Sequence, residues 1–195
     1  MQRRAVRRRT IMERPTEHLM DDHQVAARGV SCLAAIADGV ERGAAFPAAD
    51  VAVALRFLRE WVVAVHMRKE DDLVGPAVAM RGDERAAELV GELFRLREEI
   101  GELLHSLVLF WEPLGELTKE ETVGFTSTVS ALVQRLKRRQ LLEERELFPA
   151  CNRFVGADDQ LQWLNEFREL ENQRGPRGDW AGQIDALAQR WLTRG

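Results

Sequence analysis

Six residues of types that do chemistry fall where a helical repeat calls for apolar side chains: His23, His66, Glu70, Arg97, Arg139 and Glu143. Each sits on a run of apolar residues spaced three or four apart, the pattern of one buried face of a helix. His66 and Glu70, and likewise Arg139 and Glu143, are four residues apart, so each pair lies on one face about a turn apart. A buried ionised group without a partner costs many kcal/mol, so six such groups imply a metal, a pairing network or both. Imidazole and carboxylate from facing helices suit iron or manganese. A lone inward histidine is usually a satisfied core residue; coincidence on four separate stripes is not so easily dismissed.

The stripes predict the elements that carry these residues. Thr16 reads as the N-cap of a first helix with Leu19, His23, Ala26, Val30, Leu33 and Ala37 in line. His18 lies off that stripe. Asp50 reads as the cap of a second helix through Ala54, Leu58, Val62, His66, Glu70 and Leu73, ending near Pro76 or kinking there to reach Met80. A third helix from Gly82-Asp83 aligns Leu89, Leu93, Arg97, Ile100, Leu104, Leu107 and Trp111, with Pro113 as its stop. The fourth starts near Thr118, aligns Phe125, Val129, Leu132, Leu136, Arg139, Glu143 and Leu147, and ends at Phe148-Pro149. Four such helices on short connections make an all-α, up-down-up-down four-helix bundle. Two weaker patterns follow. One is capped by Asp158 or Asp159 and carries Leu161, Leu164, Phe167 and Leu170; the other runs from Asp179 with Trp180, Ile184, Leu187 and Trp191. They form a C-terminal helical extension over 156–195, and are expected to cover the bundle or to offer Trp180 and Trp191 to a protein partner.

In order and spacing, "PTEHLMDDHQVAARGVSCL", "FLREWVVAVHMRKEDDLVGPAV", "LREEIGELLHSL" and "LKRRQLLEERELFPAC" resemble the four helices of the hemerythrin-like, or HHE cation-binding, domain, over about residues 15–155. The most specific piece is His66-x-x-x-Glu70-Asp71 followed by Pro76. The resemblance implies a non-haem di-iron centre, with His23, His66, Glu70 and Glu143 on ligand positions. It also places Arg97 and Arg139 where the third and fourth helices of the family carry histidine. Arg stays protonated at physiological pH and cannot ligate a metal as neutral imidazole does. A guanidinium about 4 Å from a dication is repelled by roughly 8 kcal/mol at an effective dielectric of about 20.

Two functional expectations follow. In the first, Arg97 and Arg139 balance Glu70 and Glu143 in a buried ion-pair network, no cofactor is bound, and the domain is a non-catalytic binding or regulatory module with a degenerate di-iron site. In the second, the domain is a working iron protein that binds or senses oxygen, nitric oxide or peroxide, using His23, His66, Glu70 and Glu143; Glu98, Glu99 or His105 would substitute if the third helix slipped in register.

Composition narrows the remaining classes. The 195 residues are 45% hydrophobic and 31% charged, and no apolar run approaches the ~18 residues of a membrane span. No Ser-His-Asp or Cys-His arrangement is indicated, and no strand precedes a glycine-rich phosphate loop. Two distant cysteines, Cys32 and Cys151, make neither a zinc motif nor a disulfide framework, and read as reduced thiols of a cytoplasmic protein. Residues 1–14 form a basic arm with six Arg and one Glu, while the whole chain carries −4. The arm is expected to be a disordered tail or an upstream extension of a chain starting at Met12; a nucleic-acid role for it is not favoured.

Overall fold

The computed structural model describes residues 14–111 and 115–193; the expected basic arm, apart from Arg14, and the expected stop at Pro113 lie outside the described residues. Six helices fill the described chain: α1 (Pro15–Glu41), α2 (residues 48–81), α3 (Glu84–Phe110), α4 (residues 119–154), α5 (Ala157–Arg174) and α6 (Arg177–Trp191). The first four make the up-down-up-down bundle, and α5 and α6 pack on its outside.

Local sequence sets most boundaries. Asp83 accepts a hydrogen bond from the Ala86 amide and caps α3, while Thr118 and Glu121 cap α4 reciprocally. Two expected caps have other roles. The cap of α1 is Arg14, whose amide donates to Glu17, whereas the Thr16 hydroxyl donates to Asn152. Helix α2 starts at Ala48 behind Pro47, and Asp50 instead accepts hydrogen bonds from Arg190 and Trp191 of α6. Helix α5 starts behind Gly156, and Asp159 pairs with Arg81. Gly175, at φ 101°, makes the turn between α5 and α6 that a residue with a Cβ would resist.

Neither Pro76 nor Pro149 ends its helix. Helix α2 runs on to Arg81 and α4 to Phe154, because a π-helical segment precedes each proline: Glu70–Val74 in α2 and Glu143–Leu147 in α4. A proline ring clashes with the carbonyl four residues back, and the wider turn relieves that clash. A longer π segment, Leu58–His66, does a second job. Residues four apart drift by roughly 40° per step around an ideal α-helix. Mixing wide and normal turns keeps Leu58, Val62, His66 and Glu70 in line, and all four are buried.

The core has two apolar parts. One is built around Val30, Leu33, Leu58, Val62, Ile100, Leu104, Leu132 and Leu136, the other around Leu19, Val74, Val78, Leu89, Leu93, Leu147 and Phe148. Every bundle helix passes from one to the other, and at the crossing lie His23 on α1, His66 to Glu70 on α2, Arg97 on α3, and Arg139 to Glu143 on α4. The extension joins both parts. Trp163, Leu164 and Phe167 of α5 enter the second, and Trp180, Ile184 and Leu187 of α6 enter the first. Leu161, expected on the inner face of α5, is 47% exposed, and Trp163 takes its place. Trp180 is buried against α1 and α2, and Trp191, at the other end of α6, is partly buried.

Candidate metal centre

The charged layer collects residues from all four bundle helices. Ligand-type atoms of His23, His66, Glu70 and Glu143 all lie within 4.8 Å of one another, and all four residues are buried. Glu70 Oε1 lies 3.6 Å from His23 Nε2 and 3.6 Å from His66 Nε2, while His23 Nε2 lies 3.2 Å from Glu143 Oε2. These are close approaches without aligned hydrogen bonds: among the described residues, His23 Nε2, Glu70 Oε1 and Glu143 Oε1 have no hydrogen-bond partner. The outer nitrogens are anchored. His23 Nδ1 sits 2.9 Å from Glu144, and His66 Nδ1 sits 3.3 Å from Asp22. A histidine whose second nitrogen is fixed by a carboxylate is the usual state of a metal-ligating imidazole. Trp61 stacks on His66 and Phe148 on His23, which walls both rings with apolar surface.

Arg139 enters the same layer from α4. Its side chain is 2% exposed; Nη2 donates to Glu70 Oε2 at 3.2 Å and to Asp71 Oδ1 at 3.0 Å, Nη1 donates to the Leu93 carbonyl at 2.9 Å, and Nε lies 2.5 Å from Glu143 Oε1. One guanidinium thus touches three carboxylates and caps a backbone carbonyl of α3.

Arg97 occupies a different environment from the one its stripe suggests. It is half-buried, with Leu96 taking the inward place on α3, and its Nε lies 3.1 Å from Asp71 Oδ2. The structure brings it to Asp71, not to Glu70 or Glu143. Glu98, Glu99 and His105 lie on the exposed face of α3, away from the cluster.

Asp71 changes the charge balance. Glu70, Asp71 and Glu143 face Arg139 and Arg97, so with every carboxylate ionised the layer keeps one surplus negative charge, and Glu144 at its edge adds another. The expected cancellation by two Arg therefore falls short. The groups respond as crowded buried carboxylates do. Burial, reinforced by the Glu143 charge, pushes Glu70 up. Burial acts on Glu143 too, but Arg139 and the His23 contact outweigh it and hold it well below the usual carboxylate range. Burial would lower His23, yet Glu143 and Glu70 push it up to about 10. A proton shared by these groups, or a cation, supplies the missing positive charge.

Little space remains among them. The cavity lined by His23, His66, Arg139 and Glu143 has a volume of about 20 Å³, enough for one water-sized species. The larger surface grooves, of about 300 and 540 Å³, contain no member of the cluster.

A second buried polar cluster adjoins the first and has no counterpart among the residues picked from sequence. Lys69, fully buried, approaches Asp22, Glu171 and His18. Its signal was present: Trp61, Val65 and Lys69 recur at spacing four, and so do His18 and Asp22. Cys32 and Cys151 are both buried free thiols, and burial pushes each up to about 11, so neither is an activated nucleophile.

The fold and site define a helical bundle carrying an internal histidine and carboxylate cluster able to hold a metal ion. The chain belongs to the hemerythrin HHE cation-binding domain family, whose model matches residues 14–151. No curated protein and no solved structure matches it significantly. No helix among the described residues is long and apolar enough to cross a membrane.

Proposed function

We infer that the protein is a non-catalytic binding or regulatory module of the hemerythrin type, in which the Arg139 guanidinium takes the volume and charge of one metal ion of a di-iron centre. The observation that carries this reading is the placement of Arg139: fully buried, on α4, in contact with Glu70, Asp71 and Glu143. The donor set does not fit two ions. Two family histidine positions are Arg97 and Arg139, the cavity is water-sized, and a dication beside a fixed guanidinium meets strong repulsion. It does fit one. His23 Nε2, His66 Nε2, Glu70 Oε1 and a Glu143 oxygen converge, and the surplus negative charge suits a single divalent cation. The cavity beside this layer, about 20 Å³, holds no more than a water-sized species, which favours ion binding over turnover of a larger substrate.

A second reading, an iron protein that binds or senses oxygen, nitric oxide or peroxide, is favoured by one observation: both imidazoles are pre-oriented by carboxylates on their outer nitrogens. Metal analysis of protein grown with added iron, with its visible spectrum, separates the two. One metal ion or none per chain, without the charge-transfer band of a bridged di-iron centre, is expected. Two iron atoms per chain with that band would overturn the first reading.

A further inference from the structure

The second polar cluster reaches the first through a single carboxylate. Asp22 is fully buried on α1 and accepts from three sides: Lys69 Nζ at 2.7 Å and His66 Nδ1 at 3.3 Å share Oδ2, and Arg177 Nη1 lies 3.1 Å from Oδ1. Lys69 is held in turn by Glu171 Oε1 at 2.5 Å, with His18 Nε2 at 3.3 Å and the Phe167 ring beneath it. Arg177 also donates to the His18 carbonyl at 3.2 Å, which fixes the start of α6 against α1.

Two features make this more than a buried ion pair. The formal charges of Asp22, Glu171, Lys69 and Arg177 cancel, so Asp22 has its countercharge without drawing on His66, while Arg177 also lies 3.6 Å from the exposed Asp21. And the closing residues, Glu171 on α5 and Arg177 on α6, lie beyond residues 14–151, on the C-terminal extension. We propose that Lys69, Glu171 and Arg177 act through Asp22 as a positioning relay that sets the rotamer and tautomer of His66, so that Nε2 faces Glu70. The C-terminal helices are then a working part of the histidine and carboxylate site. The physical reason is that Asp22 alone, with two rotatable bonds, would not fix an imidazole, whereas an Asp22 clamped by an ammonium and a guanidinium has one orientation left. His23 provides an internal control, because its Nδ1 is anchored separately by Glu144, itself held by Gln140 Nε2 at 2.7 Å.

The test uses the full chain labelled with ¹⁵N-histidine and reads the imidazole nitrogens by NMR, without added metal. Arg177→Met and Lys69→Met should each move the His66 nitrogen resonances by several ppm and those of His23, which meets His66 only through Glu70 and a ring edge, by much less. Lys69→Met strands the buried Asp22 and the partly buried Glu171 and can unfold the chain; Arg177→Met, at a half-buried position, keeps the question open to test. Unchanged His66 resonances in folded Arg177→Met protein would overturn the relay, as would equal movement of His23 and His66. The role of the relay in ion binding rests on the single-cation reading and is read separately by titration with Co²⁺. One equivalent should bind to the unaltered chain, about 10- to 100-fold more weakly to Arg177→Met. Absence of Co²⁺ binding to the unaltered chain would overturn the single-cation reading while the NMR result still decides the relay. Unchanged affinity in a variant whose His66 resonances have moved would show that the relay does not serve the ion.

Discussion

Glu70 Oε2 receives Arg139 Nη2 at 3.2 Å while its other oxygen, Oε1, faces the Nε2 atoms of His23 and His66 at 3.6 Å each. One carboxylate therefore divides the layer into a half filled by a covalent cation and a half lined by imidazoles. The division accounts for the mixture of side chains in the layer, a guanidinium on one side and imidazoles on the other. Arg139 satisfies one side of Glu70, and the imidazoles stay because the other side still needs positive charge.

Arg139→Met follows directly from this arrangement. Truncating the guanidinium leaves Glu70, Asp71 and Glu143 facing one another without the cation that joins them and removes a hydrogen bond to the Leu93 carbonyl. Breaking a buried pair in this way costs about 3–5 kcal/mol, so the denaturant midpoint should fall sharply. Arg139→Lys should recover only part of the loss, since an ammonium cannot reproduce the planar fork that serves three carboxylates. An unchanged midpoint for the Met variant would mean the network carries no stability.

Arg97→Ala should behave differently. Arg97 has a 32% exposed side chain and one carboxylate contact, at Asp71, which Arg139 also serves. A partly solvated pair of this kind is worth about 1 kcal/mol or less. Equilibrium unfolding of the two variants side by side should therefore rank Arg139 far above Arg97. Equal losses would contradict the unequal burial.

The fold was largely legible because apolar spacing survives any detail of helix geometry: Leu89, Leu93, Ile100 and Leu104 on α3, and Phe125, Val129 and Leu132 on α4, are buried as their repeat requires. Pro76 reads as a stop or a kink, and the helix continues through it to Arg81. Pro149 reads as a stop, and only the π turn before it, which no residue type announces, lets α4 continue to Cys151 and Phe154. Of the six inward polar residues, five are buried and Arg97 is not fully so, since Leu96 and Arg97 compete for one inward place and the chain favours the apolar residue. Asp71 is part of the His66-x-x-x-Glu70-Asp71 motif but lies off the apolar stripe, about 100° around the helix from Glu70, so spacing gives it no partner; Arg97 and Arg139 approach from α3 and α4 and enclose it. Lys69, Asp22 and Glu171 could not be joined from sequence, because their meeting depends on where α5 docks, and the two C-terminal stripes do not say which groove they cover.

Asp50 ties α6 to the start of α2 and should make that docking sensitive to acid. Burial alone would raise the Asp50 carboxyl, but Arg190 and the Trp191 indole hold it below the usual carboxylate range. A depressed carboxylate contributes stability that is present above its unfolded-state value, about 3.9, and is lost as pH falls through the folded-state value. The denaturant midpoint should thus decline below about pH 4, with a blue-to-red shift of tryptophan emission as Trp191 is released. Asp50→Asn should lower the midpoint at neutral pH and flatten this part of the profile. A parallel decline in both proteins would assign the acid sensitivity to other carboxylates.

Arg97→His with Arg139→His tests whether the guanidiniums stand in for a metal. Arg139 reaches Glu70 and Glu143 from α4, and Arg97 reaches Asp71 from α3, so both side chains approach the carboxylates of one layer from the two helices that otherwise give it no imidazole. Replacing both removes two fixed positive charges and adds two neutral ligands beside carboxylates that are then left unbalanced. Such a site should take up a second divalent ion, because the electrostatic barrier is gone and the charge deficit has grown. Metal analysis of the iron-grown double variant should show two iron atoms per chain, and each single variant no more than one. A folded double variant with no gain in metal would mean that positions 97 and 139 are not ligand positions, and Arg139 would then be a structural cation only.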